Sequence, residues 1–151
     1  MIRIGRNGGE RIQIRSASKS DAEAINEVHI AAKREAYCDP LPAEDLASIR
    51  RAARDRADQW RDHLAGDSSS TLIAEVDGHI AGFVVLDACQ DDDVSPETVG
   101  EVTAIFVRPE EWGLGIGKAL MRAAMARLRD GGWVEVALWV MQSNRRAVGY
   151  Y

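Results

Sequence analysis

Cysteine is scarce in this chain. Its 151 residues contain two, Cys38 and Cys89. They lie far apart, without the spacing of a metal-ligand set or a disulfide framework, and read as two reduced thiols. The three histidines, His29, His63 and His79, are scattered and suggest no metal cluster. No apolar run approaches the length needed to cross a bilayer, and Met1 to Gly9 lacks the apolar core of a signal peptide. A cytoplasmic protein with no membrane partner is therefore expected. Lysine is limited to Lys19, Lys33 and Lys118, so the cations are almost all arginine. Acidic residues outnumber basic ones, 24 to 19, for a net charge of −5. That balance argues against general nucleic-acid binding and weakly favours cationic ligands. There is no internal repeat and no low-complexity segment. What is present is ordinary: 46% hydrophobic and 28% charged residues, enough chain for one domain with a real core.

The most informative stretch runs from Val102 to Leu128. Thr103 to Val107 is apolar and rich in β-branched and aromatic residues, as a central strand requires. Pro109 ends it, having no N–H to give to a ladder. Gly113, Gly115 and Gly117 alternate next. A helix follows, with Ile116, Leu120, Ala123, Ala124 and Leu128 on one stripe and Arg122, Arg127 and Arg129 elsewhere. A strand that feeds glycines into a helix start makes an anion site. The first helical N–H groups lack internal partners, the macrodipole adds partial positive charge, and glycine lets a phosphate approach the backbone. The bland alternative is a tight strand-to-helix turn with no ligand.

Two familiar phosphate sites fail on spacing. A P-loop needs Ser or Thr after Gly-Lys, but Gly117-Lys118 is followed by Ala119. A dinucleotide fold needs Gly-x-Gly-x-x-Gly, but here the glycines follow one another at every second residue.

The rest of the chain supplies alternating elements. Residues 1–10 read as a loose tail or edge segment. Arg11 to Arg15 alternates as a first strand. Ser20 and Glu23 form a candidate capping box for a helix with Ile25, Val28, His29, Ala32 and Ala36 on one stripe. For His29 a satisfied core histidine outweighs a catalytic one. Pro40 and Pro42 mark a connection, and a second helix follows as far as Gly66, with Leu46, Ile49, Ala53, Ala57, Trp60 and Leu64 along its stripe. Thr71 to Val76 and Ile80 to Leu86 are strands joined by an Asp77-Gly78 hairpin turn. Asp87 to Gly100 is a loop carrying Asp91, Asp92, Asp93 and Glu97, either a solvated loop or an acidic rim that attracts an amine. After the central helix, Asp130-Gly131-Gly132 is a turn, Trp133 to Met141 a strand, and Asn144 to Tyr151 a last helical turn.

Three segments together resemble the GNAT N-acetyltransferase superfamily. Val107 to Gly117 is similar to its acetyl-CoA motif, a strand ending in Val-x-Pro and then Arg/Gln-x-x-Gly-x-Gly/Ala. Gly115 and Gly117 match its glycines, and Trp112 stands where the family usually has Arg or Gln. Leu72 to Phe83 resembles its paired middle strands. Asn144 to Tyr151 resembles its Asn-x-x-Ala-x-x-aromatic-Tyr segment. The resemblance covers Arg11 to Tyr151. It implies an α/β (α+β) fold, a mixed central sheet flanked by helices, in a single N-acetyltransferase domain over residues 11–151 behind a flexible segment over residues 1–10. The family usually continues past that tyrosine into a final strand hairpin, so those strands are expected to be absent from this chain.

The resemblance also implies roles. Backbone groups of Ile105, Phe106 and Val107 would pair with the pantetheine arm of acetyl-CoA and help polarise the thioester. Gly113, Leu114, Gly115, Ile116, Gly117 and Lys118 would hold the pyrophosphate. Asn144 would contact the pantetheine arm, and Tyr151 would protonate the departing thiolate. In this family the segment between the first two helices borders the acceptor pocket, which would bring Tyr37 near substrate. Glu101, at the start of the central strand, is the best candidate general base, acting through water, and Glu75 is a weaker second. No Ser-His-Asp or Cys-His pairing is apparent, so no acyl-enzyme is expected. The expected activity is acetyl transfer from acetyl-CoA to a primary amine of unidentified identity, small molecule or peptide, by direct attack in a ternary complex, without a metal. A catalytically weak acetyl-CoA-binding regulatory or interaction module is the alternative, and a homodimer is the expected assembly.

Overall fold

The computed structural model describes residues 2–4, 12–37, 46–66, 70–138 and 149. Among the described residues six strands form one sheet in chain order: β1 (Ile2–Ile4), β2 (Ile12–Ser16), β3 (Ser70–Val76), β4 (His79–Ala88), β5 (Val99–Val107) and β6 (Glu135–Leu138). Neighbours run antiparallel from β1 to β5, and β5 pairs with β6 in parallel. Three helices flank the sheet: α1 (Ala22–Tyr37), α2 (Leu46–Ala65) and α3 (Ile116–Asp130). A parallel neighbour needs a long crossover, which α3 supplies between β5 and β6. The expected mixed sheet with flanking helices is what forms.

The two faces of the sheet are two cores. Val84, Leu86 and Val102 pack with Ile116, Leu120 and Leu128 of α3. On the other face Ile73, Phe83 and Val85 pack with Ile25 and Val28 of α1, and Trp60 and Leu64 of α2 cover them. The stripe read for α3 is buried throughout, as are Ile25, Val28 and Ala32 of the α1 stripe and Ala57 of the α2 stripe, while the side chains of Ala36, Leu46, Ile49 and Ala53 lie outside those described. The Asp77-Gly78 turn takes φ values of 47° and 86°, the left-handed pair that a two-residue hairpin needs.

Three boundaries differ from the sequence reading. Ile2–Ile4 pairs with β2 as an edge strand, the second of the two options for that segment. The acidic loop is shorter, because β4 continues to Ala88 and β5 starts at Val99. The helix cap is Ser18 with Asp21, not Ser20 with Glu23. The Ser18 N–H donates to the Asp21 carboxylate at 2.8 Å, while the Glu23 carboxylate accepts from Arg61 of α2.

Asp21 is buried and also takes both arms of the Arg15 guanidinium, at 2.8 and 2.9 Å. That guanidinium, helped by the Ser18 N–H and opposed by burial, holds the Asp21 carboxyl below the usual carboxylate range. Its contribution is complete above an ordinary aspartate pKa near about 4 and disappears as pH falls through the lower folded value. Asp21→Asn is therefore expected to cost about 2 kcal/mol near pH 7. The difference in melting temperature from the wild type should close on acidification below about pH 4. A gap that persists at low pH would refute the assignment.

Candidate functional site

The site is built where β5 hands the chain to α3. Its first feature is a bulge. Val85 lies opposite Ala104 and Leu86 opposite Val102, so Thr103 has no partner in the register. The extra residue resets the alternation of the strand. Val102 faces α3, and so do Ile105 and Val107, while Ala104 and Phe106 face α1 and α2. The bulge also marks a change in cover. β4 is buried from Ile80 to Val85 and on to Leu86, whereas Ala104 to Val107 is only half-buried. Among the described residues β6 pairs with β5 only over Val99–Val102.

The direction of each β5 peptide group follows from ladder alternation. In an antiparallel pair, successive residues turn their peptide groups toward the partner strand and then away from it. The Arg108 N–H donates to the Ala81 carbonyl at 2.8 Å. Phe106 therefore gives its backbone groups to β4, and Ile105 and Val107 turn theirs toward the β6 side. This narrows the expected trio: Ile105 and Val107 present peptide groups outward, and Phe106 contributes its ring to the other face. The Val107 carbonyl is already engaged, accepting the Trp112 indole N–H at 2.9 Å.

The segment after β5 is anchored to the β3–β4 hairpin. Arg108 donates its Nε to the Ile80 carbonyl at 2.9 Å, and Pro109–Glu111 forms a 3₁₀ turn. The Glu111 carboxylate meets the His79 ring at 2.7 Å. Beyond Trp112, Gly113, Leu114 and Gly115 are exposed, and Ile116 is buried at the start of α3. Gly113 and Gly115 have φ values of 82° and 85°, and nothing lies within 4 Å of where either Cβ would be. These glycines are required by conformation and leave an open cradle. The first helical bond runs from the Ala119 N–H to the Gly115 carbonyl at 3.0 Å. The N–H groups of Ile116, Gly117 and Lys118 precede it and have no helical acceptor. A 15-residue helix adds its dipole to the same point. The cradle fits an anionic diphosphate by shape, donors and charge.

Glu101 lies on β5 opposite Asp87 of β4 and beside Ala137 of β6, half-buried, on the face that α1 and α2 occupy. It sits four residues before Ile105, roughly 13 Å along an extended strand. A proton moving between that region and Glu101 would travel through water. Glu75 is elsewhere, two strands away, and its carboxylate accepts from Arg15 at 3.5 Å. Cys89 is buried. Cys38, Asn144 and Tyr151 lie outside the described residues, as does the side chain of Tyr37. Among the described residues no three His, Cys, Asp or Glu side chains gather into a metal-binding group. No helix among them is long and apolar enough to cross a membrane.

His29 sits in an aromatic cluster beside β5. Its ring lies 4.8 Å from Phe106, and edge-on to Trp60 and Phe83 at 6.1 Å. Burial, with Lys33 and Arg56 adding repulsion, lowers its pKa to about 4. The imidazole is half-buried and neutral at pH 7.

A bulged strand leads here into a glycine turn whose N–H groups open at a helix N-terminus. Residues 30–151 match the Acetyltransferase (GNAT) family, and the chain belongs to that family. It is 31% identical to an uncharacterized N-acetyltransferase of Archaeoglobus fulgidus, over 93% of this chain and 89% of that protein. It is also 36% identical to a mycothiol acetyltransferase of Thermomonospora curvata, but over 56% of this chain and only 27% of that protein. The fold matches the PaiA N-acetyltransferase of Thermoplasma acidophilum, solved in complex with coenzyme A. The TM-score is 0.74 at 21% identity, over 93% of this chain and 86% of that one.

Two predictions follow from the geometry. Gly115→Val forces a β-branched residue to φ 85° and should cost about 1–3 kcal/mol in urea unfolding. An unchanged midpoint would mean that the turn relaxes freely. For His29, the unfolded chain takes up a proton near about pH 6.5 while the folded chain resists until about pH 4. Stability should thus fall as pH drops from about 6.5 to 4 and lose this component below that. His29→Phe should show a shallower decline of melting temperature across this window, and an identical slope would contradict a neutral buried imidazole.

Proposed function

We propose that this acetyltransferase moves the acetyl group of acetyl-CoA to a primary amine by direct attack in a ternary complex. The observation that carries this reading is the continuity of the outward peptide groups of Ile105 and Val107 with the open cradle from Gly113 to Lys118. A long cosubstrate with an anionic diphosphate and an amide-bearing arm matches that path. Bound there, acetyl-CoA supplies the acetyl group already activated as a thioester.

The chain's own residues do the rest. Backbone N–H groups of the cradle hold the diphosphate, and the Ile105 and Val107 peptides orient the arm. A peptide N–H aimed at the carbonyl oxygen would stabilise the charge that develops there. Glu101 accepts the amine's proton through water, with Asp87 alongside it favouring an ammonium at that end of the strand. Tyr151 gives a proton to the leaving sulfur, and Asn144 contacts the arm. The exposed loop with Asp91, Asp92, Asp93 and Glu97 enters β5 at the Glu101 end, which suits a cationic acceptor.

The test combines binding and turnover. Coenzyme A at about a hundred times its dissociation constant should stabilise the fold by about 2.7 kcal/mol, read as a rise in melting temperature. A panel of small amines and peptides should then show steady thiol release with at least one acceptor. Glu101→Gln and Tyr151→Phe should each lower kcat by about 10²-fold or more while the coenzyme A shift persists. A thermal shift without turnover by any amine would favour a binding module instead. Turnover unaffected by either substitution would remove that residue from the mechanism.

A further inference from the structure

Trp112 occupies the position where the resemblance leads one to expect Arg or Gln, and the structure shows what it does there. Its indole N–H reaches back five residues to the Val107 carbonyl, at 2.9 Å. Its backbone N–H closes the 3₁₀ turn on the Pro109 carbonyl at 3.2 Å. The next residue, Gly113, has a positive φ and an exposed surface, and so does Gly115. The cradle is thus held at its two ends, by half-buried Trp112 and by buried Ile116, with mobile-capable glycine geometry between them.

Of the side-chain cations near the turn, Lys118 is exposed in the first turn of α3, and Arg108 is held by other partners. Arg108 gives its Nε to the Ile80 carbonyl and reaches Glu27 at 3.4 Å. Glu110 and Glu111 immediately precede the cradle and would repel an anion, although His79 sits against Glu111 at 2.7 Å. At position 112 itself no cation is available, so the directions of the turn's N–H groups matter correspondingly more.

We propose that Trp112 is a positioning residue for the cosubstrate's diphosphate. The indole–carbonyl bond fixes the entry to the cradle, so that the N–H groups from Gly113 to Lys118 are aimed before the anion arrives. A neutral clamp here replaces a cationic side chain. This inference rests on the cradle being the diphosphate site.

The experiment uses Trp112→Phe, which keeps an aromatic ring and loses the donor. If that variant fails to fold, 3-benzothienylalanine placed at residue 112 keeps the bicyclic shape and replaces the N–H with sulfur. Calorimetric titration with coenzyme A should show the dissociation constant rising about five- to tenfold. With an acceptor from the amine panel, KM for acetyl-CoA should rise in step while kcat holds. For S-acetylpantetheine, which has no diphosphate, kcat/KM should stay at its wild-type value. Unchanged coenzyme A affinity would overturn the proposal, as would equal losses for both thioesters, which would mark Trp112 as merely structural. A wild type that does not bind coenzyme A would overturn the cradle reading and this inference with it, an outcome distinct from either of the others.

Discussion

The structure depends on a conflict within β5. Its backbone must complete a sheet and, in the proposed reading, also leave peptide groups for the cosubstrate, yet buried peptide groups cannot go unpaired. The conflict is resolved by dividing the strand. Toward β4 the ladder runs from Ala88–Gly100 to Gly82–Val107. Toward β6 the described pairing covers Val99–Val102 alone. Thr103 is the dividing residue. Its bulge shifts the phase of the strand, and its hydroxyl donates to the Val85 carbonyl at 3.3 Å, so the kink is tied down. Past it, Ala104 to Val107 is half-exposed within a sheet whose neighbouring strand is almost wholly buried.

The electrostatics carry a second tension. A chain of net charge −5 binds an anion in the proposed reading, and two glutamates lead directly into the cradle. Backbone N–H groups and a helix dipole resolve this, because they add local positive potential without adding charge. The acidic residues then gather at the opposite end of β5, around Glu101 and the loop before it. In the proposed reading the strand separates an anion-binding end from a cation-attracting end. That polarity would bring a negatively charged cosubstrate and a positively charged acceptor to different ends of one site.

Much of this was legible in the sequence. Helical stripes named Ile25, Val28 and Ala32 of α1 and the buried face of α3, Asp77-Gly78 named the hairpin, and the alternating glycines named the turn that opens α3. What was not legible required knowing which residues meet in space. The sequence showed Ser20 and Glu23 at capping-box spacing, but Ser18 and Asp21 have the same spacing, and only the Arg15 partner decides between them. The bulge did leave a trace. Val102 and Ile105 share a face although they are three positions apart, which uninterrupted alternation forbids. Trp112 was noticed as a departure, but nothing along the chain says that its indole turns back to Val107.

That bond bears on how specificity for a nucleotide-linked thioester could be maintained without a charged side chain. A cation beside a diphosphate attracts at a distance and tolerates small misplacements. Peptide N–H groups do not, since their hydrogen bonds weaken steeply with angle. A site that relies on them needs a turn whose shape is set before binding, and glycines at φ 82° and 85° provide little stiffness of their own. The stiffness has to come from the flanks. Ile116 provides it on one side by burial in the α3 core. Trp112 provides it on the other by bonding to the last residue of β5. The packing of the sheet is thereby transmitted to the cradle, and the ordering cost of the anion site falls on folding rather than on binding.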